Sequence, residues 1–309
     1  MIVNQKKMED LADNLLTAKE VEGRSLWADA ARRFSRNKAA VGGMITLILV
    51  VLFTLIGPSF AQWSNEEIDW SVLGQVKLKG APSFETGHYF GTDELGRDLY
   101  SRVLQGTGIS LKVGVIGSLV AVVVGTLYGA IAGYVGGRVD NLMMRLVDIF
   151  MSIPYMFVLI LLLVIFGRSE SMLFVGIGLI SWFDMSRIVR GQTLSIKNKE
   201  FIEAAVAAGV SNFTIIMRHI VPNLVGIVIV YASLLVPGFI LAESFISFLG
   251  LGVQEPSTSW GALISAGAST MQYGTLWQIG FPLFFFTITL FSMFFIGDGL
   301  RDALDPKDR

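Results

Sequence analysis

Long apolar stretches alternate with polar ones along this chain, and their lengths set the architecture. A helix that crosses about 30 Å of hydrocarbon needs roughly 20 mostly apolar residues. Six stretches reach that length: 39–61, 109–134, 143–166, 172–191, 223–246 and 276–298. The pattern predicts an all-α, polytopic membrane protein with six transmembrane helices. Asp184 and Arg187 interrupt the fourth stretch. Pro237-Gly238 lies in the middle of the fifth, where a kink is expected, the freed carbonyl being re-satisfied by neighbouring helices.

Orientation follows from the basic residues, which concentrate in cytoplasmic loops. With the amino terminus inside, the internal segments 1–38, 135–145, 187–220 and 299–309 hold eight, two, five and three Lys and Arg. The external segments 62–112, 167–171 and 251–275 hold five, one and none. Both termini are therefore expected in the cytoplasm. The chain divides into a cytoplasmic segment 1–38, a first helix 39–61, an external loop 62–108, a five-helix core 109–300 and a tail 301–309. Residues 1–20 are expected to be mobile. Segment 25–38 reads as a basic amphipathic helix, with Leu26, Trp27, Ala30 and Phe34 opposite Arg32, Arg33, Arg36 and Lys38. It can lie in the inner interface or serve as an ordinary charged flank of the first span.

Composition agrees with a membrane protein and narrows the chemistry. Hydrophobic residues make up 53% of 309 and charged ones 16%, against about 25% charged in soluble domains; mean hydropathy is +0.62. A net charge of -1 without a basic run gives no reason to expect nucleic acid. Cysteine is absent, which removes disulfides, thiolate metal sites and cysteine nucleophiles. The polar first 38 residues lack the short apolar core of a cleavable signal peptide. No Gly-x-x-x-x-Gly-Lys-[Ser/Thr] loop is present to cradle phosphates, and no Gly-x-Ser-x-Gly elbow. The two histidines, His88 and His219, fall on opposite sides of the membrane and cannot share a metal or a dyad. Asp93 and Asp98 are too isolated to make a metal site.

Within the spans, Gly117, Ala121, Gly125, Gly129 and Gly133 recur every four residues. Small-xxx-small spacing lets helix backbones approach closely in lipid, at a subunit interface or inside the bundle. Ionisable residues inside spans are functional candidates. Asp148 lies about one turn into the third span. Asp184 and Arg187 are one turn apart and read as an intrahelical pair. Glu243 lies near the outer end of the fifth span, where snorkelling to the interface accounts for it. In the long external loop, Arg97 is expected to pair with a nearby carboxylate.

One internal loop carries the most specific pattern. Glu203-Ala204-Ala205 is followed after three residues, Ala208 among them, by Gly209, and thirteen residues later by Pro222. An Ala-faced helix, a glycine turn and a second short helix over 200–222 suit docking into a partner's groove. This spacing resembles the coupling loop by which permeases of ATP-binding-cassette importers grip their ATPase. His219 and Val221 stand where that family has Ile and Leu, although its peptide branch often carries a pair like Arg218-His219. Thr92, Asp93, Arg97 and Asp98, within Gly91-Thr92-Asp93-Glu94-Leu95-Gly96-Arg97-Asp98, resemble a hallmark of the second permease subunit of peptide and nickel importers. So do 243–250, 255–262 with Trp260, and 297–306. The resemblance covers nearly the whole chain and lies nearest the C-type subunit of the oligopeptide branch.

The resemblance implies a type I permease fold in a bacterial inner membrane and import of oligopeptides delivered by a periplasmic binding protein. It also implies a homologous B-type partner permease and two ATPase subunits that bind the ATP and Mg, with no cofactor in this chain. Glu203, Ala204, Ala205, Ala208, Gly209 and Pro222 would form the ATPase-coupling loop. Thr92, Asp93, Arg97, Asp98 and Trp260 would lie in loops facing the binding protein. Dipeptides or chelated nickel are the alternative cargo. A self-sufficient secondary transporter would need coupling-ion ligands at discontinuous helices in repeated halves, and no such repeat is present.

The orientation is testable because the chain is free of cysteine. Ser64, Ser83 and Ser257 changed to Cys are expected to react with an impermeant thiol reagent in intact spheroplasts, while Ser35→Cys and Ser195→Cys stay unlabelled. External labelling of Ser195→Cys would reverse the topology.

Overall fold

The computed structural model describes residues 26–304, so the expectations for residues 1–20 and for the end of the tail lie outside the described residues. Helix α1 spans Leu26–Arg36, α2 Lys38–Ile56 and α3 Val76–Lys79. Then come α4 Leu99–Val135, α5 Gly137–Met151, α6 Tyr155–Phe166 and α7 Glu170–Ile196. The last five are α8 Glu200–Ala207, α9 Asn212–Ile215, α10 Val221–Phe248, α11 Trp260–Thr270 and α12 Trp277–Leu304. Five helical stretches are long and apolar enough to cross a membrane, and α5 with α6 makes a sixth if that bent pair is one span.

The bundle is organised around α4 and α7, which run parallel and in close contact. A Cβ added at Gly125 would meet the Trp182 carbonyl oxygen at 2.8 Å, and one at Gly129 the Arg190 backbone nitrogen at 2.9 Å. At Gly133 the obstacle would be the Arg190 carbonyl oxygen, at 2.9 Å. Of the two places open to the small-residue ladder, this is the inside of the bundle. Lipid supplies no hydrophobic force between helices, so close van der Waals approach holds the pair. Helix α10 packs antiparallel against α4 beside α7: a Cβ added at Gly117 would meet Ile177 of α7 at 2.9 Å and the Phe239 ring of α10 at 3.0 Å.

Several spans differ from the sequence pattern. Helix α4 begins at Leu99, ahead of the apolar stretch, because the Asp98 carboxylate caps it by accepting from Ser101 N at 2.8 Å. Its 37 residues extend roughly 55 Å at 1.5 Å per residue, well past the hydrocarbon. The external loop therefore ends at Asp98 rather than at residue 108. The third apolar stretch is not a single rod: α5 and α6 meet at 74° across Ser152-Ile153-Pro154. Pro154 has no N–H to continue the ladder and disfavours helix in the residue before it. Helix α10, by contrast, is continuous through Pro237. Helix α1 docks on the bundle: Ala30 is buried, and the Phe34 ring lies beside Gly299 of α12, while Trp27 remains exposed.

The charged residues of the spans also pair across helices rather than along them. Arg187 bonds Asp148 on α5, so the expected Asp184–Arg187 pair does not form. Arg190 makes a two-pronged bond to the buried Asp140, with both N···O distances 2.6 Å. Glu243 does not snorkel. It is fully buried and accepts from Ser247 Oγ at 2.7 Å and Ser110 Oγ at 2.9 Å. Serine hydroxyls from two helices thus hold it inside the bundle, and the same Ser110 Oγ accepts from Trp260 N at 3.3 Å.

The close α4–α7 approach makes a direct prediction. Gly129→Leu must displace backbone, and overpacking of this kind costs about 1–3 kcal/mol or more. A lowered thermal midpoint in detergent is expected, whereas Gly42→Leu, with nothing within 4 Å of its added Cβ, keeps the wild-type midpoint.

Candidate functional site

Two ends and one cavity carry the chemistry, and α4 links the ends. At its carboxyl end lies the segment from Lys197 to Ile220. Helix α8 buries Ile202 and Ala205 in a core with Val189, Ile215, Ile216 and Ile220. Gly209 then takes φ +76°, a left-handed conformation that costs a side-chain-bearing residue roughly 1–2 kcal/mol. Ser211 caps α9 by accepting from Thr214 N at 3.3 Å. The Tyr134 hydroxyl, one residue from the end of α4, donates to Asn212 Oδ1 at 3.1 Å and ties this segment to the spine.

Past α9 the chain does not return to loop. A π-helical stretch, Ile216–Ile220, joins it to α10, so 212–248 is one continuous helical rod. Pro222 occupies the first turn of α10, where a missing N–H is tolerated, and the π stretch just before it adjusts the ladder. The expected second short helix is thus the tip of a transmembrane lever.

Of the predicted coupling residues, Glu203, Ala204 and Ala208 are exposed and Gly209 forms the turn. Ala205 faces the core and is not available to a partner. The exposed apolar surface consists instead of Phe201, Val206, Phe213 and Met217, with Phe213 74% exposed. A groove of about 560 Å³ runs beside it between Tyr134, Lys197, Glu203 and Asn212. Sequence reading missed the aromatic pair because the alanines made the recognisable pattern.

At the amino end of α4, charged groups close the outer loops on one another. Arg97 Nε donates to Asp93 Oδ2 at 2.7 Å, and its Nη1 to Glu255 Oε2 at 2.6 Å. Arg102 Nη2 donates to Glu255 Oε1 at 2.9 Å. The expected partner of Arg97 was a nearby carboxylate. Asp93 fits, but Glu255 lies in a loop 158 residues away, and only the fold brings it there. His88 is buried between Asp98, at 2.9 Å, and Asp69, at 3.4 Å, and stacks on Trp63.

The side chains of Thr92, Asp98 and Trp260 are also buried, so they cannot touch a binding protein directly. Asp98 caps α4, and the Thr92 carbonyl accepts from Trp277 and Gln278 of α12, at 3.1 and 2.9 Å. Trp260 Nε1 donates to Thr107 Oγ1 at 3.1 Å. These residues shape the loops from inside. Gly91 is required there: φ is +79°, and a Cβ would sit 2.7 Å from the Trp277 indole.

Partial burial raises the Glu255 carboxyl, but hydrogen bonds from Arg102 and Arg97 outweigh it and hold the group below the usual glutamate value. For Asp69, burial is likewise outweighed by hydrogen bonds from Ser71 and His88.

Between the two ends, a cavity of about 380 Å³ opens at the α5–α6 break, walled by Ile153, Pro154, Asp184, Leu234 and Phe239 among others. It lies at the middle of α7 and α10. An exposed carboxylate and a broken helix at that depth survive only where water or a polar solute replaces lipid. That arrangement belongs to membrane transport components.

Comparison with known proteins narrows the class. The family model described as "Binding-protein-dependent transport system inner membrane component" matches residues 125–309. A second model, "N-terminal TM domain of oligopeptide transport permease C", matches residues 25–75. The oligopeptide transport system permease protein OppC of Escherichia coli (strain K12) is 57% identical over 309 residues, 100% of both chains. Its namesake from Haemophilus influenzae is 53% identical over 310 residues, 99% of this chain and 97% of that one. The dipeptide transport system permease protein DppC of Bacillus subtilis is 42% identical over 281 residues, 91% of this chain and 86% of that one. The chain belongs to the family of binding-protein-dependent transport system inner membrane components. It is a multi-pass membrane permease.

The charge clamp predicts a pH dependence with a definite sign. A carboxyl held below its ordinary value stabilises the loops at all pH above that value and loses this as pH falls through the folded value. Protease resistance of the outer loops should be flat from about pH 5 to 8 and fall below roughly pH 4. In Glu255→Gln resistance should be lower throughout, with a weaker acid limb.

Proposed function

We propose that this chain is the C-type permease subunit of an ATP-binding-cassette importer for oligopeptides. It pairs with a homologous B-type permease in the bacterial inner membrane, both termini cytoplasmic. Two ATPase subunits dock on the 200–222 segment, and a periplasmic binding protein delivers peptide to the loops around Glu255. This chain binds no nucleotide of its own; ATP and Mg reside in the ATPases. The full-length 57% identity to a relative named for oligopeptide transport supports the cargo, and the lower identity to a dipeptide permease ranks that cargo second. The Lys and Arg asymmetry supports the orientation.

The observation that carries the coupling role is the exposed apolar surface of Phe201, Val206, Phe213 and Met217 on a segment whose opposite side, Ile202, Ala205, Ile215 and Ile216, is buried in its own core. Its apolar side chains need a partner, and α10 is continuous with it. Closure of the ATPases would move α9, and through the unbroken rod would tilt α10 against the mid-depth cavity.

Gly209→Val tests this. The variant should insert and pair with its partner permease, yet lose ATPase association or peptide-stimulated hydrolysis by about five- to thirtyfold, since strain near 1–2 kcal/mol falls on the turn that sets the surface. Import at the wild-type rate would reduce the segment to a connector. Deletion of the chain should abolish binding-protein-dependent peptide uptake and spare free amino acids. Peptide transport by the purified chain in liposomes without an ATPase would refute the importer assignment.

A further inference from the structure

Asp184 lies in the middle of α7, a transmembrane helix of 27 residues, and its side chain is exposed. Among the described residues it has no hydrogen bond or ion pair. The arginines that follow on the same helix are committed elsewhere, Arg187 to Asp148 and Arg190 to Asp140. A carboxylate at the centre of a span costs about 3 kcal/mol even on the mildest scale. A side chain that only filled space would not be acidic.

Its surroundings specify what it meets. The cavity beside it is apolar apart from Asp184, Ser181 and Tyr155; the Ser181 hydroxyl is already directed to the Gly178 and Gly117 carbonyls, and the Tyr155 hydroxyl can accept as well as donate. Across from Asp184, the chain breaks at Ser152-Ile153-Pro154. Among the described residues, no backbone N–H is bonded to the Ile153 carbonyl, and Ile153 is exposed and lines the cavity. Irregular backbone at this depth is tolerated where it is buried in protein or lines a water-filled cavity, and this exposed break borders a cavity; broken helices at mid-membrane mark substrate sites in transporters. The free polar groups of the lining are therefore the Asp184 carboxylate, the Ile153 carbonyl and the Tyr155 hydroxyl, each able to accept a hydrogen bond, with one negative charge and no cation among them. Such a set matches a primary ammonium, which has three donors and one positive charge.

We infer that Asp184, with the Ile153 carbonyl and the Tyr155 hydroxyl, receives the amino-terminal ammonium of the peptide during its passage. This rests on the peptide-importer reading and adds to it. The α-ammonium is present on every free peptide whatever its side chains, so one carboxylate gives a handle without sequence selectivity. The apolar walls formed by Leu234, Leu235 and Phe239 add no directional requirement.

The test uses the complete assembly in proteoliposomes, with saturating binding protein and one tripeptide in free and amino-terminally acetylated form. Import of both forms is measured for the wild type, Asp184→Asn and Asp184→Glu. Any preference of the binding protein for a free amino terminus is common to all three and cancels in the ratio of ratios. The free-to-acetylated rate ratio should fall about tenfold in Asp184→Asn, the scale of one charged hydrogen bond. It should stay within about twofold of wild type in Asp184→Glu, a spread worth under ~0.5 kcal/mol. An unchanged ratio in Asp184→Asn overturns the inference, and if assembly is also impaired, Asp184 is an ion-pair partner of the other permease instead. Failure of the wild-type assembly to import either form would refute the peptide reading itself.

Discussion

Helices α4 and α7 approach until side chain and backbone on one are in contact with bare glycine on the other, from Gly117 to Gly133, and the rest of the molecule depends on that contact. In lipid no apolar term favours helix association, so closeness alone must supply the attraction. A residue larger than glycine at 125, 129 or 133 would require the backbone of α7 to move. The result is a parallel pair that behaves as one body. Other elements are located by reference to it: α10 antiparallel against both helices, α8 against the carboxyl end of α7, and α5 through the Asp140–Arg190 pair.

The length of α4 gives this body its role. Roughly 55 Å of helix reaches from the charge clamp at Arg97 and Arg102 to the Tyr134–Asn212 hydrogen bond. The loops around Glu255 and the 200–222 segment are therefore both fastened to the same rod. The part joined to it by the fewest constraints is the α5–α6 elbow, whereas α10 is held to α4 by the Ser110–Glu243 and Ser118–Ala232 hydrogen bonds and its tip by Tyr134–Asn212. Both border the cavity that holds Asp184. The Phe213 surface is thus joined to that cavity by continuous helix, with no loop between them.

Much of this was legible in the sequence, and what was not has identifiable causes. Span number and the coupling pattern follow from apolar run length and from spacing, which are local. The Gly ladder predicted close packing, but its partner helix required the fold. Asp184 and Arg187 looked paired because they are one turn apart; Asp148 and Asp140 won both arginines from another helix, which spacing within one helix cannot reveal. Glu243 looked interfacial because its serine donors, Ser110 and Ser247, are polar only weakly and occur everywhere. The break at Ser152-Ile153-Pro154 had a signal in Pro154, concealed by the apolar run on both sides. Thr92, Asp98 and Trp260 belong to recognisable motifs, yet their side chains face inward, so a motif in an outer loop can record how the loop is built as well as what it meets.

The rigidity of the α4–α7 pair is the central claim, and a distance measurement tests it directly. Val123 and Leu179 are exposed on α4 and α7, and the chain has no other cysteine to label. Spin labels at Val123→Cys and Leu179→Cys, followed by pulsed dipolar spectroscopy in the assembly with and without ATP, report the separation of the two helices. The account predicts a single distance distribution that keeps its centre and width in both states. A centre that moves with nucleotide would mean that α4 and α7 slide or part during the cycle, and that the molecule is not built around a fixed pair.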